Sequence, residues 1–153
     1  MKNRLLSGIA VAVLGLLTAL VPVCIFRTCS KVIETAAGGT VPMKCFWSGQ
    51  AEIGIGLLVL CGGMLLVVFK SPLTRIGISM MTALTGILGI LVPTALIGGC
   101  EMVTMTCQMT TFPALIIFNA LTIAICSANV IYLWRQNKRL QEKTDGQKAV
   151  NNR

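Results

Sequence analysis

Four long apolar runs, separated by short polar stretches, dominate the pattern of hydrophobic and polar positions along this chain. They cover residues 5–26, 51–69, 76–97 and 112–134, and each is long enough to cross a hydrocarbon layer about 30 Å thick as a helix. Within the third run Thr82, Thr85, Gly86 and Gly89 recur three and four apart, which predicts a stripe of small residues suited to close helix approach. Gly54 and Gly56 in the second run are two apart and cannot share a face, though glycines in such a run also point to close approach. Pro22 falls near the end of the first run, where a kink or early stop is tolerated. Pro113 opens the fourth at a first-turn position, where its missing N–H costs least.

The pattern predicts an all-α, polytopic membrane protein: a four-transmembrane-helix bundle over residues 1–134, followed by a basic tail over 135–153 that begins as a helical extension and frays. Composition agrees. With 55% hydrophobic and only 12% charged residues, 153 residues carry too little polar surface to cover a soluble core. The first run, with Lys2 and Arg4 before it, resembles a secretory signal, but it is long for one and lacks a small-x-small cleavage site, so it reads as an uncleaved span. Phe46 and Trp47 before the second span, and Tyr132 and Trp134 closing the fourth, suit the headgroup level.

The net charge of +8 could suggest nucleic acid, but its distribution explains it otherwise. One set of connecting segments holds Lys2, Arg4, Lys70, Arg75, Arg135, Lys138, Arg139, Lys143, Lys148 and Arg153 against Glu142 and Asp145. The other set balances Arg27, Lys31 and Lys44 against Glu34, Glu52 and Glu101. Positive-inside bias then places both termini in the cytoplasm, and no nucleic-acid partner is required.

The two outer loops share features. Each ends in Met-x-Cys (Met43-Lys44-Cys45 and Met105-Thr106-Cys107), and each follows a Leu-Val-Pro whose proline stands seven residues before the first cysteine, Pro22 before Cys29 and Pro93 before Cys100. Gly15, Leu17 and Leu20-Val21-Pro22 match Gly86, Leu88 and Leu91-Val92-Pro93 at an offset of 71, and after the loop Met43 and Cys45 match Met105 and Cys107 at 62. The chain therefore reads as two parallel helical-hairpin repeats, related by an axis along the membrane normal, with cysteine-bearing loops on one side.

Of seven cysteines, Cys24, Cys61 and Cys126 fall within spans, where a thiol acts as a small apolar group. Cys29, Cys45, Cys100 and Cys107 lie in the outer loops, and three chemistries suit them. The first is a pair of disulfides; each hairpin carrying its own staple favours Cys29–Cys45 and Cys100–Cys107. The second is a soft-metal site, in which Met43, Cys45, Met105 and Cys107 converge on Cu(I); the chain has no histidine, which removes most zinc and Cu(II) designs. The third is thiol–disulfide exchange, although no C-x-x-C occurs. Without histidine, Ser-His and Cys-His catalysis are also excluded. Glu52 stands at or just inside the outer interface and is a functional candidate, against the simpler expectation that it snorkels to the headgroups or pairs with Arg27 or Lys44. Asn119 and Asn129 in the fourth span are expected to hydrogen-bond between helices.

Over the stretch from Met43-Lys44-Cys45-Phe46-Trp47 to Gly54, and from Cys100 through Thr111-Phe112-Pro113-Ala114-Leu115, the chain resembles a bacterial family catalogued as domain of unknown function 4418. The likeness extends over nearly all of the chain except the basic tail. It implies a membrane protein that accompanies ABC transporters of the macrolide-exporter type, and assigns no catalytic residue. Two expectations about function follow. One is a non-enzymatic accessory or assembly subunit with an ABC permease or a second copy of itself as partner. The other is an extracytoplasmic sulfur site acting on Cu(I) or on thiols.

Overall fold

The computed structural model describes residues 2–25, 32–34, 40–42, 44–97 and 107–151. Four helices, α1 (Lys2–Leu20), α2 (Lys44–Val68), α3 (Pro72–Leu91) and α4 (Phe112–Asn151), make up almost all of it. All four are long and apolar enough to cross a membrane. Between α1 and α2 a short antiparallel ribbon pairs β1 (Val32–Glu34) with β2 (Thr40–Pro42), in the register Val32↔Pro42, Ile33↔Val41, Glu34↔Thr40. Pro42 closes β2, a strand end where a proline without an N–H is best accommodated.

The helices form a ring. α1 packs most extensively on α2, and α3 on α4; α2–α3 and α1–α4 contacts close the circuit, so α2 and α4 stand diagonally opposite. Each helix buries one stripe at alternating three- and four-residue steps: Gly8, Val11, Gly15, Thr18 and Val21 in the first, and Arg75, Ser79, Thr82, Gly86 and Gly89 in α3. Thr85, expected within the small-residue stripe, lies beside it, and its hydroxyl donates to the Met81 carbonyl at 2.9 Å. The opposite faces expose Leu6, Ile9, Val13, Leu57, Leu58, Leu84 and Ile117. An apolar outside around a core that includes Thr18, Glu52, Ser79, Asn119, Thr122 and Asn129 reverses the soluble pattern, as a lipid solvent requires.

Both Leu-Val-Pro segments end their helix in the same way. α1 and α3 stop at Leu20 and Leu91, and each continues for one wide π turn, Val21–Ile25 and Val92–Leu96. Pro22 and Pro93 cannot donate to the carbonyl four residues back, so the ladder slips by one: Ile97 N–H reaches the Val92 carbonyl, five residues back, at 3.0 Å. In the other connection Ser71 and Pro72 turn the chain directly into α3, with Pro72 in the first turn.

α2 begins at Lys44, so Phe46, Trp47 and Ser48 belong to its first turns rather than to a loop before it. Phe46 and Trp47 meet edge to face with ring centroids 6.1 Å apart, and Trp47 is exposed. At the far end Tyr132 and Trp134 are exposed, and Gln136 donates to the Tyr132 hydroxyl at 2.8 Å. α4 continues past its apolar part to Asn151.

Candidate functional site

Three of the six buried hydroxyl side chains among the described residues are satisfied within their own helix. Thr18, Thr82 and Thr122 donate to the carbonyls of Leu14, Ile78 and Phe118 at 2.8–2.9 Å, a usual arrangement where no water is at hand. Asn129 donates to Ser79 Oγ at 2.8 Å, joining α4 to α3 as the sequence predicts. Against this background, among the described residues, four fully buried side chains keep a polar atom without a hydrogen-bond partner: Ser48 Oγ, both Glu52 carboxyl oxygens, Thr111 Oγ1 and Asn119 Oδ1. All four lie toward the end of the bundle from which the cysteine loops spring.

The geometry follows from helix periodicity. Ser48 and Glu52 are four apart on α2, one turn along a single buried face. Thr111, just before α4, and Asn119 sit on the buried side of the diagonal partner, with Leu115 between them. The Asn119 carboxamide is set against the Glu52 carboxyl, although neither carboxyl oxygen reaches hydrogen-bonding geometry with any described residue. Asn119 donates instead to the Leu115 carbonyl of its own helix at 3.0 Å, not to another helix as expected. Gly89 makes this placement possible: a Cβ there would lie 2.6–2.7 Å from the three polar-group atoms of the Asn119 side chain. Val21, Phe112 and Leu115, with Phe118 packed against them, form an apolar cluster at the same end.

Glu52 is therefore not a snorkelling residue. Its side chain has no exposed surface and points into the bundle, because α2 starts before Ala51 and carries Glu52 on the inward stripe with Ser48, Ile55 and Val59. The side chains of Arg27 and Lys44, its expected ionic partners, lie outside the described residues. So do those of Cys29, Cys45, Cys100, Cys107, Met43 and Met105, and with them the disulfide and Cu(I) expectations. Cys24 and Cys61 are exposed and Cys126 is buried, all three as free thiols. Sequence reasoning overlooked Ser48, Thr111 and the burial of Arg75 at the opposite end, where Arg75 makes interactions of its own. Extending the second helical period back through Trp47 would have placed Ser48 and Glu52 on one face.

A second feature is the correspondence between the hairpins. Their outward faces each carry an open apolar groove. One is lined by Ile9, Ala12, Val13, Met64, Val67 and Val68, among others; the second by Met80, Ala83, Leu84, Ser127, Val130 and Ile131. The α1 and α3 positions match at an offset of 71, and the α2 and α4 positions at 63. The helix crossings obey the same two offsets: Gly15 faces Gly56 and Leu60, and Gly86 faces Asn119 and Ile123. The second offset is one greater than the 62 read from the Met-x-Cys ends.

Bundle and grooves define a small multi-pass membrane protein whose core mixes polar with apolar side chains and whose perimeter is apolar. Residues 11–133 match the family described as "Domain of unknown function (DUF4418)", and the chain belongs to that family. Neither the curated proteins nor the solved structures contain a match to it.

Proposed function

We propose that this protein is a non-enzymatic accessory or assembly subunit of an ABC-type membrane transport system. In this reading it resides in the bacterial plasma membrane with both termini in the cytoplasm, and it arose by duplication of a helical hairpin. The observation that carries the reading is the equivalent lipid-facing groove on each hairpin, at offsets of 71 and 63. Two like grooves on one small bundle suit side-by-side contact with neighbouring transmembrane helices, where shape and close packing rather than hydrophobicity drive association. The matching π turns after Leu20 and Leu91 support the duplication independently of the grooves. The family resemblance supplies the partner class, an exporter permease, with a second copy of this chain as the other occupant. Ten basic residues near the termini and the α2–α3 turn support the orientation.

The test is isolation in mild detergent or native nanodiscs after photocrosslinking from Val13 and from Leu84. A crosslinked species containing a transporter permease is expected at both positions. A solitary monomer under all these conditions overturns the assembly role. In this reading the outer cysteines are structural, paired Cys29–Cys45 and Cys100–Cys107, and each closed loop contributes about 3 kcal/mol by the chain-entropy model. Mass spectrometry after thiol blocking should find three free cysteines before reduction and seven after it, matching the seven in the chain. Free outer thiols would displace the staples in favour of the Cu(I) or exchange chemistry.

A further inference from the structure

In the interior of this bundle the Glu52 carboxyl and the Asn119 carboxamide lie against each other, and both Glu52 oxygens and Asn119 Oδ1 have no hydrogen-bond partner among the described residues. They come from diagonally opposed helices, and both side chains are fully buried. In a bilayer each unsatisfied polar group costs several kcal/mol, and a bare carboxylate costs far more than any packing contact returns. Gly89 meanwhile leaves room for the Asn119 carboxamide where any Cβ would crowd it, so Asn119 is built into the packing of α3 as well. Oxygen atoms alone, one of them carrying a formal charge, are the donor set preferred by small hard cations.

We propose that Glu52 and Asn119 form an exchangeable site for a small hard cation, a proton or an alkali ion, in the membrane interior. A proton bound to one Glu52 oxygen turns that oxygen into a donor, for which Asn119 Oδ1 is the free acceptor; an alkali ion bridges the same atoms. Ser48 Oγ, one turn from Glu52, and Thr111 Oγ1, about 12 Å from Asn119 along α4 by helix rise, continue the unpaired polar atoms toward the cysteine end. The site is reached from there.

Among the described residues few groups bear on it. The buried stripes at this end hold Gly15 and Thr18 on α1, Gly86 and Gly89 on α3, and Asn119 and Thr122 on α4, none of which titrates. Cys126 on α4 lies about 10 Å further along, and Arg75 on α3 about 21 Å from Gly89 by helix rise. On its own helix Lys44 stands two turns before Glu52.

The full-length protein in detergent is treated with dicyclohexylcarbodiimide, which attacks protonated carboxyls in apolar surroundings, across a pH series in sodium, potassium or choline chloride. Labelling is expected on the peptide holding Glu52, absent in Glu52→Gln, and falling roughly tenfold per pH unit above its midpoint. Loss of labelling in sodium but not in choline identifies an alkali-ion site; equal labelling in all three salts identifies a proton site. Asn119→Ala should move the midpoint, which a residue with only a packing role would not do, and Ser48→Ala should slow labelling without moving it. The carboxyl carbonyl stretch, taken as the infrared difference between wild type and Glu52→Gln, reads the same occupancy without requiring reagent access. A band that responds neither to pH nor to sodium overturns the proposal, whatever the labelling shows.

Discussion

The two hairpins have the same layout and different interiors. In the first, α1 and α2 approach backbone to backbone. A Cβ on Gly15 would lie 2.4 Å from the Leu60 nitrogen, one on Gly56 2.5 Å from the Ala19 nitrogen, and one on Gly63 2.4 Å from the Ala12 nitrogen. In the second hairpin the positions matching Gly56 and Gly63 are Asn119 and Cys126. Gly86, matching Gly15, would put its Cβ no closer than 3.0 Å, and against a side-chain carbon of Ile123 rather than backbone. The first hairpin is thus packed through glycine contacts, while the second has larger side chains at the matched positions. The Glu52–Asn119 pair joins the two halves at the level where this difference arises.

The same substitution at matched positions tests the comparison most directly. Gly15→Ala and Gly56→Ala push a methyl into backbone that cannot yield, and each should cost about 3 kcal/mol, the upper range for overpacking. Reversible unfolding in mixed micelles would measure this; losses below a quarter of that value would show that the first hairpin is not tightly closed. Gly89→Ala is intermediate. It displaces the Asn119 side chain but gains helix propensity, for a net loss of about 1 kcal/mol, and it should also shift the carbodiimide midpoint at Glu52. Asn129→Ala removes the hydrogen bond to Ser79 and should cost about 0.6 kcal/mol, the usual worth of such a bond between helices in a bilayer. Gly86→Ala should be the mildest, within about 0.5 kcal/mol of wild type, because the flexible Ile123 side chain can move and alanine favours the helix. If Gly86→Ala proved as damaging as Gly15→Ala, the contrast between the hairpins would be lost.

Part of this was legible in the residues. Apolar length and a charge content of 12% are enough to predict four spans, because lipid permits only internally hydrogen-bonded helices between polar connections. The repeated Leu-Val-Pro announced two equivalent helix ends, since a proline forces the same local repair wherever it falls. Thr82, Gly86 and Gly89 marked the inward face of α3 correctly, and Thr85 did not, because the three-residue step from Thr82 falls to one side of the stripe that the four-residue step to Gly86 continues.

What only tertiary structure decided is where Glu52 points and what meets it. From the sequence, a carboxyl two residues into an apolar run reads as an interfacial group, since the rise in hydropathy marks where lipid begins. The helix begins earlier, at Lys44, and its phase turns Glu52 inward. Asn119 reaches it from 67 residues away, across a diagonal of the ring that no local periodicity encodes. Local rules govern where a helix runs and which stripe it hides; the pairing of buried atoms between helices depends on the relative height and rotation of all four.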